Sequence, residues 1–346
     1  MLYLSSKSRS DTYTAHKTIH TAFANDGGLF LPFRLPKLEE VFIRGLPEHT
    51  PSKNMADVLN IFFSTGITEL DLDFSIGKHS MRLSAIHPRV IIGELWHNAN
   101  WNYDTTVQAV SDALRRENKG DAPTEWVRTA VRIASIFALY GQAVAEGAIS
   151  MGESMDIAVP VGDFSAPISA WYARKMGLPI GTIICGCNEN SALWDLFNLA
   201  DMSTGDSVSE TLTPLCDHQV PASLSRLIYH VLGAEEAIHY EEICQAGRHY
   251  APPEDMYNTL KEGIFTAVSS ISRVDSVIRN VSSTTGYILS PYDALAYGAL
   301  LDYRSRSGQG SHCLLISERC PICDDKTTAY ALGITTDELV SRLQAR

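Results

Sequence analysis

The stretch that decides the fold is MDIAVPVGDFSAPISAWYARKMGLPIGTIIC, residues 155–185. It opens on an apolar run (155–161) that reads as a buried strand. A Gly-Asp-Phe-Ser turn follows, then a helical pattern over 166–176 and a second apolar, β-branched run at 179–185. A strand, a helix and a strand within thirty-odd residues are the unit of a parallel sheet with right-handed crossovers.

Outward from this unit the alternation continues. Residues 190–200 read as a helix, as do 222–233, 254–268, 292–303 and 335–345, with a strand at 312–317. Upstream, ValIleIleGlyGluLeuTrp (90–96) reads as a buried strand. Residues 105–116 read as a helix opened by a Thr105/Gln108 capping box. A loop at 118–123 precedes a long helix near 124–147. The fold class expected is α/β.

Composition narrows the function. Among 346 residues, 28 Lys and Arg face 40 Asp and Glu, a formal charge of −12. Such a surface repels a phosphate backbone, so no nucleic-acid partner is expected. The amino terminus turns polar too early for a signal peptide. The most apolar stretch, Ala130 to Ile149, is interrupted by Arg132, Gln142 and Glu146, which suits a buried helix better than a membrane span. Seven cysteines, an odd number, do not read as a disulfide framework. A cytoplasmic protein without membrane contact is expected.

Residues 161–180 strongly resemble the GNFGD…YYAKKMGLPI segment of threonine synthases, followed by AsnGluAsn at 188–190, where that family also has NEN. AspGlyGlyLeuPheLeuPro (26–32) resembles its amino-terminal turn, and GlyGluLeuTrpHis (93–97) its ELFHGPT strand end. The segments at 221–229 and 286–294 resemble its NxERLL helix and GYxxDPHTA turn. These matches run in family order across most of the chain. The resemblance implies a fold type II architecture: an amino-terminal domain over 1–92, a truncated remnant of the small cofactor-covering domain over 93–123, and a large parallel-sheet domain over 124–346. It also implies relatives that convert phosphohomoserine to threonine with pyridoxal phosphate.

Against that family pattern three features are missing. The Schiff-base lysine of HGPTLAFKD falls, counting from His97, on Asp104, and a carboxylate cannot form an imine. Asp104 reads either as a helix-start carboxylate stabilised by free N–H groups, worth about 0.3–1 kcal/mol, or as a catalytic group. The phosphate loop is Gly162-Asp163-Phe164-Ser165. An aspartate aimed at a phosphate there costs roughly 4 kcal/mol for unit charges about 4 Å apart at an effective dielectric of about 20. Asp163 or Ser165 is instead expected to cap the following helix, with Pro167 in its first turn. Finally, the SerGlyAspThrGly-type loop of the relatives has no counterpart after residue 116. Pyridoxal phosphate is therefore expected to be lost, and a displaced lysine such as Lys78 or Lys175 is the weaker alternative.

Two functional classes remain. One is a non-catalytic paralogue that binds a metabolite or a protein. The other is a cofactor-independent, lyase- or cyclase-type enzyme acting on an amino-acid-like substrate by acid–base chemistry. The candidate catalytic residues are His97, Tyr103, Asp104 and Asp163; the candidate substrate-binding residues are Asn98, Ser165, Asn188 and Asn190. A simple histidine and surface aspartate, with Trp96, Trp101 and Tyr103 packing, is the plainer reading of the 96–104 cluster. Cys185/Cys187 and Cys320/Cys323 follow predicted strands and could converge on a metal, although ordinary buried thiols are favoured. Cys216 and His218 have no assignable partner. A monomer or a homodimer suits the relatives.

Overall fold

The computed structural model describes residues 1–76, 81–98, 100–116, 119–205, 207–308 and 310–345; Lys78 lies outside them. Its strands are β1 (Leu2–Ser5), β2 (Thr12–Thr14), β3 (Phe30–Pro32), β4 (Arg82–His87), β5 (Val90–Glu94), β6 (Met155–Pro160), β7 (Ile180–Cys187), β8 (Met202–Ser203), β9 (His249–Tyr250), β10 (Ile264–Val268) and β11 (His312–Ser317). The first three form a small antiparallel sheet.

The main sheet runs β10-β7-β6-β11-β5-β4, parallel except for β4, which pairs antiparallel with β5. From β6 the chain crosses to β7 on one side, while β11 and β5 lie on the other. Order therefore reverses at β6, and ligands of open α/β sheets bind in the crevice beyond the carboxyl ends of strands at such a point.

The long helix Glu125–Ala145 lies buried along almost its whole length, packed on the helix Pro51–Phe63. Gly141 permits the close approach: a Cβ there would sit 3.0 Å from Asn54 Nδ2 of that helix and 2.8 Å from the Leu46 carbonyl oxygen in the turn before it. A second close approach explains the Cys-Gly-Cys sequence. Cys185 and Cys187 point from β7 into the core, and Gly186 lets the helix Pro291–Ser307 cross against the strand, since a Cβ would lie 2.3 Å from the Leu295 carbonyl oxygen.

Several expectations need correction. The helix expected at 254–268 stops at Leu260, and Ile264–Val268 is strand β10, paired with β7. Gly263, at φ +66°, turns the chain between them. The β-branched and aromatic IFTAV run then adds to the sheet edge. The helix expected from 105 begins at Tyr103, and its capping box is Asn102 with Thr105 rather than Thr105 with Gln108; Gln108 instead reaches Asp112 and the Asp121 carbonyl. Helices at Ala234–Gln245, Ile271–Thr285 and Asp325–Leu332 were not anticipated.

Candidate functional site

The ends of β6 and β11, the helix starts that follow residues 102, 164 and 290, and the first turns of the long helix line a cavity of about 470 Å³. The first helix start is Asn102–Thr105. Asn102 accepts the Thr105 N–H (3.2 Å), and the Tyr103 N–H donates to the Glu318 carbonyl (3.2 Å), fastening this helix to the end of β11. Tyr103 is buried, with its hydroxyl on the Arg128 carbonyl. Burial raises its pKa, so it is a neutral donor. Asp104 stands at the rim, with Arg128 Nη1 donating to its Oδ1 at 2.6 Å.

The second helix start is Gly162–Ser165. Phe164 holds left-handed backbone (φ +69°) and is the N-cap of the helix Ser165–Met176 without a side-chain bond. Its ring is fully buried and stacks on Phe197. Asp163 Oδ1 accepts the Ser165 N–H at 3.0 Å, so the aspartate occupies a free donor of this helix.

Behind both starts lies Arg132, 7% exposed, on the long helix. Its Nε and Nη2 fork onto Glu318, the latter bond at 3.0 Å, and its guanidinium stacks on Tyr103 with the carbon 4.6 Å from the ring centroid. Burial works against the charge, but Glu318 and Tyr103 outweigh it and Arg132 stays cationic. Glu125 is held by the fully buried Arg226, whose Nε also donates to the Phe30 carbonyl (2.8 Å) and so ties the amino-terminal sheet to the cavity wall.

The opposite wall is the start of the helix Pro291–Ser307. Asp293 accepts from the Ser290 N–H (3.1 Å) and the Ser317 hydroxyl (2.9 Å), and Ser317 accepts from Trp96 Nε1 (2.8 Å). Burial pushes the Asp293 carboxyl up to about 7, partly opposed by these bonds. Cys216 also lines the cavity; burial drives its thiol up to about 12, which favours the neutral thiol.

Of the residues singled out in the sequence, Tyr103, Asp104, Asp163 and Ser165 come together on this cavity, and His97, Asn98, Asn188 and Asn190 are not among its lining. His97 and Asn98 are exposed, and the Asn98 side chain accepts the Asn100 and Trp101 N–H groups in its own turn. Asn188 and Asn190 are buried and donate to Asp217, as does Thr211. They thereby fold the 209–218 loop so that Leu215, Cys216 and His218 reach the wall. Lys175 is exposed beside Trp171. No lysine is among the described lining. None of the seven cysteines is in a disulfide, and no group of three or more His, Cys, Asp or Glu among the described residues is arranged to hold a metal.

Sequence reasoning missed Arg132, Glu318 and Asp293. Each had a signal. Arg132 is a charge inside the most apolar stretch, which only a paired group tolerates. Ser290 with Asp293 is a capping-box spacing. Glu318 immediately follows a sheet strand.

Comparison with known proteins bears on the fold and on the amino-terminal region. Residues 2–79 match the family described as threonine synthase N terminus. Human threonine synthase-like 1 is 25% identical over 175 residues, covering 49% of this chain and 23% of the human protein. Rat threonine synthase-like 2 is 24% identical over 173 residues, 49% of this chain and 36% of its own length. The matched stretch thus spans well under half of these relatives. Among solved structures, the PLP-bound threonine synthase of Brucella melitensis superposes with a TM-score of 0.85 at 16% identity, covering 99% of this chain and 94% of that one. Yeast threonine synthase gives 0.84 at 15%, with the same coverage. No helix among the described residues is long and apolar enough to cross a membrane. The chain is threonine synthase-like in fold, and its residues 2–79 match the amino-terminal region of the threonine synthase family.

Proposed function

We propose that this chain has given up pyridoxal phosphate catalysis and acts as a pseudoenzyme that binds a small metabolite in the old cleft. The observation that carries the reading is Asp104. Counted from His97 it falls where the family motif has its lysine, and it lies on the cavity wall, paired with Arg128. An imine requires a primary amine, and the described lining offers none. The phosphate cradle argues the same way, because the Ser165 N–H is already taken by Asp163. The residues present do not fit the cofactor, and no step of a reaction is assigned to it.

The proposal includes the division into 1–92, 93–123 and 124–346, the middle piece being what is left of the cofactor-covering domain. It also includes a cytoplasmic monomer or homodimer that binds neither nucleic acid nor membrane. The test is an absorption spectrum after excess pyridoxal phosphate is added and unbound cofactor removed. No band should remain at about 410–430 nm, where such imines absorb. A stable, borohydride-reducible band would mean that another lysine serves.

One observation favours a second reading, a cofactor-independent enzyme of the lyase or cyclase type. Asp293, held near 7 on the cavity wall, is poised to take or give a proton near neutrality. On that reading Asp293→Asn lowers turnover of the physiological substrate by about 100-fold or more. On the pseudoenzyme reading, Asp104→Asn at the exposed rim and His97→Ala off the cavity leave the biological activity nearly unchanged.

A further inference from the structure

Arg132 is only half used. Nε and Nη2 are committed to Glu318, while Nη1, buried with the rest of the group, has no hydrogen-bond partner among the described residues. Buried charged donors are ordinarily satisfied, and because Arg132 is one of the residues that line the cavity, the acceptor its orphan donor lacks can come from a molecule bound there. A carboxylate is the natural one.

The remaining charges limit what else that acceptor can carry. Three arginines (Arg128, Arg132, Arg319) line the cavity against five acids (Asp104, Glu125, Asp163, Asp293, Glu318). With Asp293 protonated the wall carries 3 − 4 = −1, and with it ionised 3 − 5 = −2. Arg128 is tied to Asp104 and Arg319 to Asp324, so neither is spare. A phosphate dianion would meet this excess of acid. A purely cationic ligand would leave Nη1 unsatisfied. The Asp163 carboxylate makes no ion pair among the described residues and accepts the Ser165 N–H, while its backbone carbonyl takes the Ser223 N–H (2.9 Å); its field reaches Arg132. A cation and an anion subsite therefore lie on neighbouring elements, the 162–165 turn and the long helix, in a space of small-molecule size.

We propose that the cavity binds a small zwitterion without a phosphate, its carboxylate on Arg132 Nη1 and its ammonium or guanidinium group on Asp163. This inference rests on the reading of the cavity as a metabolite site that does not use pyridoxal phosphate.

The test is calorimetric titration of the full chain with the proteinogenic L-amino acids. O-phospho-L-serine, propionate and putrescine serve as the dianionic, anionic and cationic controls. At least one unphosphorylated amino acid should bind, about tenfold or more weakly in Arg132→Gln. Asp163→Asn keeps an oxygen for the Ser165 N–H and should weaken the same ligand about as much without weakening propionate. If Arg132→Gln fails to fold, Asp163→Asn carries the test alone. Binding of O-phospho-L-serine, propionate or putrescine but no unphosphorylated amino acid overturns the inference, as does no binding at all, or an unchanged affinity in Asp163→Asn. The underlying reading fails separately, by a reducible pyridoxal phosphate adduct. Absence of that adduct together with absence of amino-acid binding sinks the zwitterion alone.

Discussion

The two helix starts that meet at the cavity solve one problem in opposite ways. At Asn102–Thr105 the backbone is ordinary, a reciprocal side-chain box satisfies the free N–H groups, and the nearby Asp104 is neutralised by Arg128 at the rim. At Gly162–Ser165 the N-cap is a phenylalanine in left-handed backbone, and an aspartate with no described ion pair takes the place of a side-chain cap. The first start is locally self-sufficient. The second is held by its surroundings, by the burial of Phe164 and its stack on Phe197. Backbone strain kept in place by tertiary packing is more typical of a binding site than of a plain structural turn.

That contrast is open to attack at several strengths. Phe164→Ala removes a fully buried ring from the strained start and should cost about 3–5 kcal/mol in denaturant unfolding. Phe164→Gly, which relieves the left-handed backbone, should be less harmful than the alanine by about 1 kcal/mol. If glycine is no better, the strain attributed to this turn is absent.

The next effect is on pH dependence. Asp293 binds its proton more tightly in the folded chain than in the unfolded one, where its pKa is the ordinary 3.8. Its contribution is full below that value and is lost as pH rises through about 7. Relative to Asp293→Asn, the unmodified chain should lose up to about 3 kcal/mol between roughly pH 5 and pH 8. Parallel stability profiles for the two proteins would show that Asp293 titrates normally.

Asn102→Ala opens the box of the self-sufficient start and should cost about 1 kcal/mol, measured in the same way. Asp104→Ala should cost less than about 1 kcal/mol, because the pair with Arg128 is largely exposed. A loss several times larger would mean that Asp104 is not a rim residue.

Much of the architecture was legible from local pattern. The strand–helix–strand at 155–187, the strand at 312–317 and the long buried helix follow from periodicity, because each buries a face set by its own residues. The 254–268 segment misled because apolar residues at mixed spacing suit either a helix or a strand, and pairing with β7 decided between them. The candidate site was legible only in part. Asp104, Tyr103, Asp163 and Ser165 belong to two motifs that the chain keeps near its strand ends. The link from Asn188 and Asn190 to Asp217, like the pairing of Arg132 with Glu318, joins residues far apart in sequence.

By itself the sequence determined the α/β class, the strand–helix–strand unit at 155–187 with the strand at 312–317, and the identity of the groups at the two helix starts. Those properties depend on side-chain type and short-range spacing. The tertiary structure decided which charges are satisfied and which are not. It put Glu318 on two of the three nitrogens of Arg132, left the third without a partner among the described residues, buried Asp293 beside Ser317 and set Asp163 on the cavity wall. Burial and pairing are sums over neighbours from distant parts of the chain, and no local window of sequence contains them.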